Sequence, residues 1–114
     1  MAVKLQTDYE VDTGDVTLTI IIGDGQIGTS LVRLDGKELA IGDVTELKLG
    51  KGSSLAGKEL FIKTVVADVN DKTNNTSVSY QLKGGVSDRE FHLDGSVNEE
   101  GGSVIYRAAF ELKK

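Results

Sequence analysis

The chain has 114 residues, of which 39% are hydrophobic and 27% charged, and its formal net charge is −5. This length and composition are typical of one soluble globular domain with a single core, and they exclude a disordered or membrane-inserted chain. The acidic balance and the scattered lysines and arginines also argue against nucleic acid as a partner. We therefore expect one domain over residues 1–114.

Cysteine and proline are both absent. Without cysteine the chain has no disulfide, no thiolate metal site and no thiol nucleophile. The first ten residues lack the apolar segment of a signal peptide. This weakly favours a cytoplasmic location, and a mature secreted form would begin in the same way.

The first half of the chain alternates apolar and polar residues, which is the period of a half-buried β-strand. The strands predicted there are, in chain order, residues 3–11, 16–22, 29–34, 37–41 and 44–49. Asp35-Gly36 is a strong hairpin signal, because both positions of a tight two-residue turn need a positive φ. Residues 50–54 have the composition of a loop.

The second half continues the same pattern. The strands predicted there are residues 59–69, 76–82, 89–97 and 104–112. The strand over residues 59–69 carries apolar side chains on both faces, which predicts a central strand covered on both sides. No window of ten residues has a convincing helical period.

These patterns predict the fold class. About nine strands with turn signals every 8–12 residues or so are typical of an all-β sandwich or barrel. A one-sided antiparallel sheet must cover its apolar face, and a second sheet is the available cover. We predict an immunoglobulin-like antiparallel β-sandwich of about nine strands, with a small β-barrel as the alternative.

Residues 23–28 spell Gly-Asp-Gly-Gln-Ile-Gly, which matches the glycine motif of dinucleotide sites. A phosphate site of that kind needs a helix that begins at the motif. Only the six residues 29–34 separate the motif from the turn at Asp35-Gly36. We therefore interpret the motif as a turn that connects two strands.

The segment 68–77 is rich in side-chain oxygens. Asp68, Asn70, Asp71 and Asn74 supply carboxylate and amide oxygens of the kind that Ca²⁺ takes as ligands. The alternative is a long hairpin tip, in which Asn and Asp are favoured because they stabilise turns and tolerate positive φ. Ca²⁺ at these four residues is the metal hypothesis, and no other cofactor is expected.

His92 is the single histidine, and its strand position predicts a side chain on the exposed face. Asp88 and Asp94 lie near it in sequence, which is the only cue for a hydrolase. The nucleophile elbow G-x-S-x-G is absent. No catalytic residue is nominated, and we expect that the protein is not an enzyme.

Two functions remain after these exclusions. The leading hypothesis is a non-enzymatic β-sandwich module that acts as a structural unit or by protein–protein contact. Its partner would be another protein, or a second copy forming a homodimer, bound through sheet edges. The alternative is a small-ligand or Ca²⁺-binding domain that uses the tip 68–77.

Overall fold

The structure is a computed structural model that describes residues 2–99 and 101–114. The described residues form nine strands and one short helix. In chain order these are β1 (Ala2–Glu10), β2 (Asp15–Ile22), β3 (Ile27–Leu34), β4 (Lys37–Gly42), β5 (Leu47–Lys51), α1 (Gly52–Leu55), β6 (Glu59–Ala67), β7 (Asn75–Lys83), β8 (Arg89–Ser96) and β9 (Ser103–Lys113). The all-β prediction is confirmed. The strand predicted over residues 44–49 is β5, which begins at Leu47 and extends to Lys51, and α1 makes a helical turn in the rest of the predicted loop 50–54.

The strands form two sheets. One has five strands in the order β1-β9-β6-β3-β4, and the other has four in the order β5-β2-β7-β8. They pack as the two layers of a sandwich, and the part of the chain that the structure describes does not close into a barrel. The predicted nine-stranded sandwich is therefore confirmed over its barrel alternative.

Both sheets contribute large side chains to the core. The largest fully buried ones include Tyr9, Leu18, Tyr80, Tyr106 and Phe110. The rings of Tyr80 and Phe110 meet edge to face, with centroids 5.9 Å apart, and so join the two sheets. Burying a side chain of this size contributes about 1.5–3 kcal/mol, so this inner layer supplies most of the stability.

One strand pair departs from the antiparallel prediction. β1 and β9 are parallel, in register from Ala2 opposite Ile105 to Glu10 opposite Lys113. The other six pairs are antiparallel. Parallel neighbours need a long connection between them. Here the rest of the chain provides it, because β1 and β9 are the first and last strands.

β6 is central, as predicted, but only one of its faces is covered. Leu60, Ile62 and Val66 are buried against the other sheet. Phe61 and Val65 point outwards and are half-buried, because only neighbouring side chains of the same sheet shield them. The prediction of cover on both sides is therefore wrong for the described residues.

The glycine motif lies in the connection from β2 to β3, as the sequence indicated. Asp24 and Gly25 have φ values of 58° and 69°, and the Gln26 amide donates to the Gly23 carbonyl at 3.2 Å. β3 begins at Ile27, within the motif, so the helix that a dinucleotide site requires is not formed. The motif is a tight turn between strands of different sheets.

Candidate functional site

The segment 68–77 connects β6 to β7. Asp68, the first residue after β6, is 4% exposed, whereas Asp71 and Asn74 are exposed. Asn70 is half-buried between them. The four predicted oxygen ligands therefore share one loop, but two of them face the protein and two face solvent.

Gln26, from the glycine motif, holds this loop. Its Nε2 lies 2.9 Å from Asp68 Oδ1, 3.0 Å from the Asn75 carbonyl and 3.3 Å from the Thr73 carbonyl. Its Oε1 accepts the backbone N–H groups of Val69 and Asn70 at 2.8 and 2.9 Å. The Gln26 side chain is therefore a clamp on the β6–β7 loop.

Gln26 has no recognisable signal in the sequence. A single polar residue between glycines carries no pattern of its own, and its contacts are visible only in the fold.

The Asn70 side chain makes two hydrogen bonds, one to the β2–β3 turn and one within its own loop. Its Nδ2 donates to the Asp24 carbonyl at 2.9 Å, and its Oδ1 accepts the Lys72 amide at 3.1 Å. Such a side-chain-to-backbone bond two residues on is typical of an Asx turn. These contacts support the hairpin-tip interpretation for Asn70.

Asp68 retains one unused oxygen. Its Oδ1 accepts from Gln26, while Oδ2 is buried without a hydrogen-bond partner among the described residues. A buried carboxylate oxygen usually has a partner, since its desolvation is costly. The residues described here place no group of three or more His, Cys, Asp or Glu side chains around a common metal position. Ca²⁺ binding at this loop stays a prediction.

A second polar group lies on the outer face of the four-stranded sheet. Ser79 Oγ and His92 Nδ1 are 2.8 Å apart, and His92 Nε2 and Asp94 Oδ1 are 2.9 Å apart. The pairing of β7 with β8 brings these side chains together, because Ser79 lies directly opposite His92. His92 and Asp94 could be recognised as candidates from the sequence, whereas the position of Ser79 depends on strand register.

This Ser–His–Asp row lacks the surroundings of a catalytic triad. Ser79 is 9% exposed and lies in a strand that is paired on both sides. Its neighbouring backbone N–H groups are therefore used by the sheet and offer no oxyanion hole. Asp88 is elsewhere, where its Oδ1 accepts the Gly84 amide at 3.1 Å.

A groove of about 460 Å³ opens between the two sheets on the side of β2 and β3. Its walls are formed by residues 19–22, 26–28 and 43–45. Ile21 and Ile27, two of the exposed large hydrophobic side chains, line it at 44% and 63% exposure.

The wall of the groove contains an open strand edge. β5 pairs with β2 only as far as Leu18, although β2 continues to Ile22. Beyond Leu18, the Ile20 N–H donates to the Val44 carbonyl at 2.9 Å on that side. Because backbone groups alternate along a strand, the N–H and C=O of Ile22 also point towards the groove.

No protein-family model, curated protein or solved structure matched this chain. Over residues 2–99 and 101–114, none of the helical structure has the length and apolar character to cross a membrane.

Proposed function

We propose that the protein is a non-enzymatic β-sandwich module that binds an extended segment of a partner protein in the groove beside β2. The observation that carries this proposal is the end of β2: its ladder with β5 stops at Leu18, the Ile20 N–H donates to the Val44 carbonyl, and the backbone of Ile22 beyond them faces the groove. An unpaired strand edge is a template for a further strand. Strand addition of this kind is a recurring mode of peptide recognition.

The groove favours a partner segment with apolar side chains. Ile21 and Ile27 flank it with exposed aliphatic surface. The backbone of Ile22 would supply main-chain hydrogen bonds, and the two isoleucines would contact alternate side chains of the added strand.

The test is selection from a phage-displayed library of random peptides. A selected peptide should protect the Ile22 amide from hydrogen exchange, and Ile21→Lys should weaken its binding at least tenfold. Ile41→Lys is the matched control, because Ile41 is 68% exposed but does not line the groove. Failure to select any peptide, or equal losses in both variants, would contradict the proposal.

We also keep the immunoglobulin-like relationship as a proposal for the five-stranded sheet. β3, β6 and β9 are neighbours there, as strands C, F and G are in an immunoglobulin domain. The second sheet has the order β5-β2-β7-β8, which differs from the A-B-E-D order of that family. The likeness therefore concerns one half of the sandwich.

Ca²⁺ binding is the second candidate function, and the unpartnered Asp68 Oδ2 favours it. Millimolar Ca²⁺ should then raise the melting temperature, since a ligand that binds only the folded state stabilises it. Asp68→Asn should abolish the rise while keeping the shape of the side chain, and Asp71→Ala should reduce it. An unchanged melting temperature in Ca²⁺, or an equal rise in both variants and the parent, would exclude this site.

A further inference from the structure

The outer face of the five-stranded sheet carries three rows of side chains across β1, β9 and β6. The strand register aligns them as neighbours. The basic row is Lys4, Arg107 and Lys63; the central row is Gln6, Ala109 and Phe61; and the acidic row is Asp8, Glu111 and Glu59.

Each charged row places like charges directly opposite one another on adjacent strands. Such pairs are destabilising in an isolated sheet. Lys113 offsets part of the repulsion within the acidic row, because its Nζ lies 3.2 Å from Asp8 Oδ2 and 3.5 Å from Glu111 Oε2. Within the described residues, neither Glu59 nor any member of the basic row has an opposite charge within 4.0 Å.

The same face is open and indented. A depression of about 380 Å³ is lined by the acidic row together with Gln6 and Ala109. An adjoining one of about 470 Å³ is lined by Lys4, Arg107 and Phe61 together with the same two residues. Across these three strands one shallow surface is therefore acidic at one end, basic at the other, and uncharged in the middle.

We propose that this face binds a second copy of the chain, sheet against sheet, with a two-fold axis along the central row and perpendicular to the strands. In all three strands the basic and acidic residues lie two positions from the central row, on opposite sides of it. Two positions correspond to about 7 Å along a strand. A two-fold rotation about the central row therefore places every basic row against an acidic row.

The arrangement gives each charge a defined partner. Lys63 faces Glu59 of the partner subunit, and Arg107 faces the partner's Glu111. Lys4 faces the partner's Asp8. Stacked sheets pack about 10 Å apart, a gap that lysine and arginine side chains can bridge. Phe61 and Ala109 lie on the axis and meet their own copies.

This interface is distinct from the groove of the proposed function and does not depend on it. The charges are at the surface, so the association should weaken with salt. Sedimentation velocity should detect a dimer at about 0.01 M salt, where the Debye length is about 30 Å, and mostly monomer at about 1 M, where it is about 3 Å.

Charge reversal provides the decisive experiment. Lys63→Glu and Glu59→Lys should each raise the dissociation constant of the dimer at least tenfold, because each puts like charges in contact twice. A mixture of the two single variants should form a heterodimer, since every reversed charge then meets an opposite one. The double variant should dimerise like the parent.

Two measurements separate a lost interface from a lost fold. Lys63→Glu places a carboxylate beside Arg107 and relieves repulsion within the sheet, so at protein concentrations where the parent is also monomeric its melting temperature should not fall below the parent's. Lys48→Glu, an exposed reversal on β5 of the other sheet, is the matched control and should leave the dimer unchanged.

Certain results would overturn the proposal. A parent that stays monomeric at low salt would do so, as would a dimer that survives Lys63→Glu, or single variants that fail to associate when mixed. Ile21→Lys should leave the dimer intact, and Lys63→Glu should leave peptide binding intact. The dimer interface and the peptide-binding groove can therefore be tested independently of each other.

Discussion

Replacing Gln26 tests whether one side chain holds the β6–β7 loop. Its Nε2 has two hydrogens, so it can serve two of its three acceptors fully, and its Oε1 accepts two amides. Four hydrogen bonds at about 1 kcal/mol each amount to about 4 kcal/mol. Gln26→Ala should therefore lower the free energy of unfolding by about 3–4 kcal/mol, because water replaces part of the loss at the half-buried loop amides.

The assay is urea denaturation, with hydrogen exchange at Val69 and Asn70 as the local readout. Both amides should lose protection in Gln26→Ala. Gln81→Ala is the matched control on the outer face of β7, and it should change the stability by less than about 0.5 kcal/mol. A loss below about 1 kcal/mol in Gln26→Ala, within the range of a single hydrogen bond, would refute the clamp.

Gln26→Glu sharpens the test, because it keeps the size and the accepting oxygen but replaces the donating nitrogen. The new carboxylate faces Asp68 Oδ1, so one proton should be shared and the pKa of the pair should rise. Because the folded variant then holds a proton more tightly than the unfolded one, the pair adds to the free energy of unfolding below about pH 4. This contribution is lost as the pH rises above about 4 and through the raised pKa of the folded state. A variant with the same pH dependence as the parent would contradict this account.

Three further changes test the core and the turns. The buried Tyr80 hydroxyl lies beside the Thr64 side chain but makes no hydrogen bond of normal geometry among the described residues, so Tyr80→Phe should raise the free energy of unfolding in urea by no more than about 1 kcal/mol and should not lower it. Burial raises the pKa of Tyr80 from 10.0 to about 12, so the folded state keeps a proton that the unfolded state loses. The stability that this raised pKa provides should be complete below pH 10, and between pH 10 and 12 the free energy of unfolding should fall by about 1.4 kcal/mol per pH unit. If Tyr80→Phe lost as much stability as the parent over this pH range, the explanation would be wrong. Gly84 and Gly36 both have positive φ, 92° and 84°, but a Cβ on Gly84 would collide with the Asp15 carbonyl whereas one on Gly36 meets nothing within 4 Å. Gly36→Ala should therefore lower the free energy of unfolding, measured by thermal unfolding, by about 1–2 kcal/mol, and Gly84→Ala should lower it clearly more. Equal losses in the two variants would show that the Asp15 carbonyl does not crowd position 84.

Strand positions followed directly from the period of the sequence. The segment predicted over residues 16–22 is β2, and the turn at Asp35-Gly36 joins β3 to β4 with φ values of 51° and 84°. β3 begins at Ile27 rather than at residue 29, because Gly28 pairs with Val66 inside the ladder. Local alternation and turn chemistry are enough for such elements.

Contacts between distant segments could not be predicted in the same way. The parallel pairing of β1 with β9 has no local signal, because it joins segments from opposite ends of the sequence. The opposition of Ser79 and His92 depends on the exact register of the β7–β8 hairpin, which alternation alone does not determine. The oxygen-rich tip 68–77 was visible from composition, but the burial of Asp68 depends on Gln26, which lies 42 residues earlier. The sequence therefore indicated the loop but not the side chain that holds it.

The parallel pairing of β1 with β9 also determines how the sandwich would bear tension. The chain enters β1 at Ala2 and leaves β9 at Lys113, at opposite ends of a ladder with nine residue pairs. A pulling force between those two residues runs along both strands in opposite directions and loads the hydrogen bonds of that ladder in shear, all at once. An antiparallel terminal pair would instead open one bond at a time, like a zipper. This pairing therefore makes the sandwich mechanically resistant along the axis that joins its terminal strands.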